Sequence, residues 1–253
     1  MADQKEKNGV EELRERLDQL ERLGIGHAEN KRERFECISI IGQVEGHYLL
    51  PEGQKATKYE HLLPMLISLE EDDEVDGLLI LLNTMGGDVE AGLAIAEMIA
   101  SMTKPTVSLV LGGSHSIGVP LAVAAKHSLI VPSATMTVHP VRVSGTVIGV
   151  PQSFRYMTEM QRRIVRFICC HSRAQEETLN RLMLRPDQIA NDCGSVLEAG
   201  EAVRYGLIDE IGGVSRALSV LRSMKSKHVK NKNENNTHSK NKDDLSKKQQ
   251  KKK

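Results

Sequence analysis

The chain has 253 residues, no Trp, three Phe and four Tyr, and a formal net charge of zero. So few aromatic rings argue against base stacking or aromatic cages, and with them against a specific nucleic-acid partner. The zero is a balance: residues 222–253 hold twelve Lys or Arg against Glu234, Asp243 and Asp244, a basic tail on an acidic body.

In chain order, residues 1–34 are polar, with Leu13, Leu17 and Leu20 at helical spacing, an amphipathic arm. The charged start MADQKEKNGVEELRERLDQLE lacks the apolar stretch of a secretory signal. CISIIGQV (37–44) is expected as a strand, and Tyr59 to Glu70 as a helix with Leu62, Leu63, Leu66 and Leu69 on one face. GLLILLN (77–83) is apolar without alternation, as in a parallel strand covered on both faces. A helix over 89–102, a strand over 105–113, a helix opened by Ser116, a strand over 128–132 and a short extended piece over 135–140 follow. This order predicts an α/β fold with right-handed crossovers and helices on the sheet's faces.

Residues 151–184 carry Met157, Met160, Ile164, Phe167 and Ile168 at helical intervals. They predict one long helix, about 50 Å if unbroken, projecting from the body toward a second subunit. Residues 197–221 predict a helix, a glycine stop, a short strand and a last helix. Beyond Met224 almost nothing is apolar, and a disordered tail is expected. The chain thus divides into an arm (1–34), one domain (35–222) and a tail (223–253).

No run of 18 apolar residues is present, so no membrane span is expected. Cys37, Cys169, Cys170 and Cys193 form no C-x-x-C pair and have no His at zinc-ligand spacing. No metal site follows, and a cytoplasmic location is expected.

Two glycine turns carry the chemistry. NTMGGDVEAG (83–92) joins a buried strand to a helix, where unpaired N–H groups attract negative charge. It matches neither G-x-x-x-x-G-K-[ST] nor G-x-G-x-x-G, so a phosphate site and an oxyanion site both stay open. GGSHSIGV (112–119) makes the second such turn, and Ser114 and Ser116 are equally good as N-caps there. Alternatively, Ser116 is a nucleophile at the positive end of a helix. The G-x-S-x-G elbow is not met, because residue 114 is serine. His139 follows an extended piece, and Asp187 and Asp192 lie in PDQIANDCG (186–194). A serine, a histidine and an aspartate in that order permit a proton relay, although order alone does not make one. A Ser–Lys pairing with Lys126 is a further variant.

NTMGG, KPTVSLVLGGSHSIG, TMTVHP and EAVRYGLIDEIGG together resemble the Clp protease proteolytic subunit family (ClpP, serine peptidases) over about residues 37–221. Within it the resemblance is closest to the translocation-enhancing, TepA-like branch. It implies a ClpP/crotonase-like fold of repeated β-β-α units with a projecting long helix. It implies a serine-type endopeptidase acting on peptides or unfolded proteins within a homo-oligomeric ring. Ser116 falls on the nucleophile, His139 on the general base, and the N–H groups of Gly87 and Ile117 on the oxyanion hole. Asp192 falls on the carboxylate, with Asp187 in reserve. No cofactor is implied; any ATP dependence comes from a partner, an unfoldase ATPase, and export machinery is the other implied partner. Met85 stands where the family has proline, Ser114 and His115 replace two alanines, and Pro140 directly follows His139. Two other readings stand beside this one. The first is a catalytically quiet ClpP-like scaffold assisting protein export. The second is a crotonase-type acyl-CoA enzyme, which uses paired backbone N–H groups without needing Ser116, His139 and Asp192 together.

Overall fold

The computed structural model describes residues 25–30, 33–51, 53–143, 148–186, 189 and 193–227. Nine strands form one sheet: β1 (Ile25–Asn30), β2 (Glu33–Glu45), β3 (Ala56–Lys58), β4 (Gly77–Gly87), β5 (Thr106–His115), β6 (His127–Ile130), β7 (Thr135–Val138), β8 (Ser195–Glu198) and β9 (Glu210–Ile211). The helices are α1 (Tyr59–Glu71), α2 (Val89–Ser101), α3 (Gly118–Val123), α4 (Pro151–Cys170), α5 (Glu176–Met183), α6 (Ala199–Arg204) and α7 (214–227). The path across the sheet is β1-β2-β4-β5-β6-β9; β3 adds to β2, and β7 extends from the end of β5 to β8. All pairings are parallel except β1 with β2 and β7 with β8.

The unbroken apolar run of β4 has its cause in two cores. Leu78, Ile80 and Leu82 pack with Ile38, Ile40, Ile95 and Ile99 under the helices of one face. Leu79 packs on the other face with Phe35, Val107, Leu109 and Leu129, covered by Ala217, Val220 and Leu221 of α7. Each such buried side chain contributes about 1.5–3 kcal/mol against its exposed state. A strand with water on one side would have alternated.

The single helix expected over 151–184 is in fact two. After Cys170 the chain breaks, because the Ser172 hydroxyl donates back to Ile168 O at 2.7 Å and competes with the helix ladder. Arg173 is held outside any helix by Gly206 O, which accepts its N–H at 2.9 Å, and by Asp209, 2.7 Å from its guanidinium. Burial along α4 begins only at Ile164, and Phe154 and Tyr156 on its first turns are exposed. Three short strands have no counterpart in the sequence expectations: β1, β3 and β8, the last immediately before a helix start fixed by the Glu198–Glu201 capping box. No helix among the described residues is long and apolar enough to cross a membrane.

Candidate active site

The first glycine turn is built on a bulge. β4 slips register against β5 between Leu82 and Thr84, and β2 slips against β4 between Gly42 and Gln43. The Thr84 hydroxyl donates to Gly42 O at 2.6 Å and accepts the Gly86 N–H at 3.1 Å. Gly86 then takes φ 93° and Gly87 φ 153°, angles that a side chain rarely adopts. A Cβ on Gly86 would lie 2.7 Å from Ser116 Cβ, and one on Gly87 would lie 2.1 Å from Val44 O. The chain closes on Asp88, whose N–H donates to Val44 O at 2.9 Å and whose carboxylate accepts the Ala91 N–H at 2.9 Å, capping α2.

The second turn is different. β5 runs on to His115, two residues past the expected strand, and α3 begins only at Gly118. Ser116 has φ 57°, the one non-glycine residue with left-handed angles among those described. It therefore does not cap α3, and neither does Ser114, whose buried hydroxyl donates to Gly118 O at 2.6 Å. Ile117 stands at the cap with no side-chain bond, and no turn or cap bond among the described residues uses its N–H. Such a left-handed residue costs about 1–2 kcal/mol. It is held by two backbone bonds: its N–H to Thr137 O at 2.8 Å, and its carbonyl from the Val119 N–H at 3.0 Å.

β7 brings the imidazole. It pairs with the end of β5, Ser114 opposite Met136 and His115 opposite Thr137, so His139 emerges just past that pairing. Ser116, His139, Gly87 and Ile117 thus line one cleft of about 220 Å³, with Met85 and Arg142 beside them and Val89, Val119, Ile164 and Met183 as apolar walls. The His139 Nδ1 lies 2.7 Å from Pro140 O. A carbonyl only accepts, so this bond puts the proton on Nδ1 and leaves the Nε2 lone pair free to act as a base. No hydrogen bond joins His139 to the Ser116 hydroxyl among the described residues.

Asp192 and Asp187 both lie outside the described residues. What is described is the chain just after them. Gly194 packs against His139, where a Cβ would fall 2.9 Å from His139 Cβ, and Ser195 pairs with Val138. Lys126 is not near the site: its ammonium donates to Thr103 O and to Lys104 O, the latter at 2.8 Å, at the start of β5 and far from Ser116. Among the described residues no group of three His, Cys, Asp or Glu is placed to hold a metal ion.

Comparison with known proteins adds two findings. Residues 31–215 match the Clp protease family. The chain is also similar to the translocation-enhancing protein TepA of Halalkalibacterium halodurans, with 51% identity over 206 residues, 81% of this chain and 80% of that protein.

Proposed function

The chain belongs to the Clp protease family and has its α/β fold, and from that premise we propose that it is a serine-type endopeptidase using Ser116. The observation that carries the reading is the shared cleft: a strained serine, an imidazole with a free Nε2, and the Gly87 and Ile117 backbones on one small space. His139 Nε2 takes the Ser116 proton as the hydroxyl attacks a peptide carbonyl, and returns it to the leaving amine. The N–H groups of Gly87 and Ile117 receive the oxyanion, each such donor supporting about 10²–10³ in rate. Asp192, two residues before Gly194, steadies the imidazolium. The apolar walls Val89, Val119, Ile164 and Met183 suit an apolar side chain of a peptide or an unfolded protein. Family membership also supports a ring of identical subunits, with an ATPase partner supplying any use of ATP. The relative's name, translocation-enhancing protein, supports a link to translocation.

A second reading, a catalytically quiet scaffold for export, is favoured by one observation. Ser116 and His139 face one cleft without a bond between them, and the imidazole is turned to Pro140 O. Cleavage of a fluorogenic peptide by the assembled protein separates the two. The peptidase reading expects turnover that falls about 10³-fold or more in both Ser116→Ala and His139→Ala. No turnover in the wild type supports the scaffold, and turnover untouched by these substitutions contradicts the assignment of Ser116 and His139.

A further inference from the structure

The end of β5 makes a contact with β7 that the proposed chemistry does not use. His115 is the register partner of Thr137, and its Nδ1 lies 2.9 Å from Thr137 Oγ1. The same Thr137 accepts the Ser116 N–H through its carbonyl. Successive side chains leave a strand on opposite faces, so the His115 ring stands on the side away from Ser114, and it is not among the residues that line the cleft. It lies instead over Gly113, where a Cβ would sit 2.2 Å from His115 Nε2. Burial lowers the imidazole below its ordinary value of 6.5, so at neutral pH the ring is an uncharged hydrogen-bonding group.

Strain at one residue persists only where its surroundings over-determine it. The strained Ser116 follows a segment pinned on both faces: Ser114 to Gly118 O on the α3 side, and His115 to Thr137 on the other. Thr137 is two residues before His139 on the same chain segment. A bond from His115 to Thr137 therefore ties the strand end that carries the hydroxyl to the one that carries the base. Among the described residues no other side-chain hydrogen bond joins these two strand ends on that face of the sheet.

We propose that His115, seated on Gly113 and bonded to Thr137, is a positioning residue that fixes Ser116 relative to His139. The inference rests on the peptidase reading, since it assigns a role in the same site. Gly113 is part of the device, because only a residue without a side chain leaves room for the ring.

The test uses the full-length protein, a fluorogenic peptide and a fluorophosphonate probe, with thermal midpoints measured alongside. His115→Ala, Thr137→Val and Gly113→Ala should each lower kcat about 10–100-fold, as expected for a displacement near 1 Å, with KM within about twofold. Probe labelling of Ser116 should slow in parallel. His115→Asn, which keeps a polar atom where Nδ1 stood, should recover most of the loss. The double variant of His115→Ala with Gly113→Ala should be no slower than either alone, because both break one contact. Full kcat in folded His115→Ala overturns the positioning role while leaving the peptidase reading intact, and so do losses that multiply in the double variant. A loss of thermal midpoint with unchanged kcat overturns it too. A wild type that neither cleaves nor labels overturns the peptidase reading itself, and the positioning role with it.

Discussion

The turn after β4 and the turn after β5 meet at Gly86 and Ser116, and they solve the same problem in opposite ways. Both stop a parallel strand and start a helix. At the end of β4 the left-handed angles fall on Gly86 and Gly87, and the helix opens on Asp88 with its carboxylate on the Ala91 N–H. After β5 the left-handed angle falls on a serine, and the helix opens on Ile117 without a side-chain cap. The first turn places its awkward backbone on residues that adopt it at little cost. The second places it on the side chain proposed as the nucleophile and relies on neighbours to keep it there. Strain collects where chemistry is expected, and the adjoining turn supplies the space: a Cβ on Gly86 would lie only 2.7 Å from Ser116 Cβ.

That contrast can be broken most severely at Gly86. Gly86→Ala adds a methyl 2.7 Å from Ser116 Cβ at a left-handed position. A loss of about 2–4 kcal/mol in denaturant unfolding is expected, together with near-complete loss of peptide cleavage; a variant of unchanged stability would mean that the two turns do not press on each other. Ser116→Gly sharpens the comparison from the other side. It removes the hydroxyl and relieves the left-handed strain, so activity should vanish while stability rises by about 1 kcal/mol, a gain of about 2–4 °C in the melting midpoint. A lower midpoint would show that Ser116 is not strained. Asp88→Ala has the smallest effect: loss of the α2 cap should cost about 1 kcal/mol and change kcat by less than about threefold, measured by unfolding and by peptide turnover. Here the cap serves the helix, not the reaction.

The same contrast marks how far the sequence reaches. Leu62 and Leu66 of α1, and the uniform run of β4, are patterns that burial writes directly into residue type; the helix stands where expected, and the strand starts where expected but runs on four residues past Asn83 to Gly87. Features set by distant partners were not legible. The break between α4 and α5 depends on Gly206 and Asp209, more than thirty residues from Arg173. The conformation of Ser116 depends on Thr137 O and on the empty place at Gly86, so local spacing suggested a helix cap where the structure has a left-handed turn. β3 is three residues long and β8 four, too short for any period. At the site, serine, histidine and the two turns were visible as separate motifs. Their meeting in one cleft follows from the β5–β7 register, which no local pattern encodes. The sequence marks His115 only as a replacement of a family alanine. Its partner is 22 residues away.

The most direct test of the central claim is to label the full-length protein with a fluorophosphonate and map the modified peptide. The account predicts a single adduct on Ser116 that is absent from Ser116→Ala and greatly slowed in His139→Ala. An adduct on Ser114, equal labelling of Ser116→Ala, or no adduct at all would contradict it.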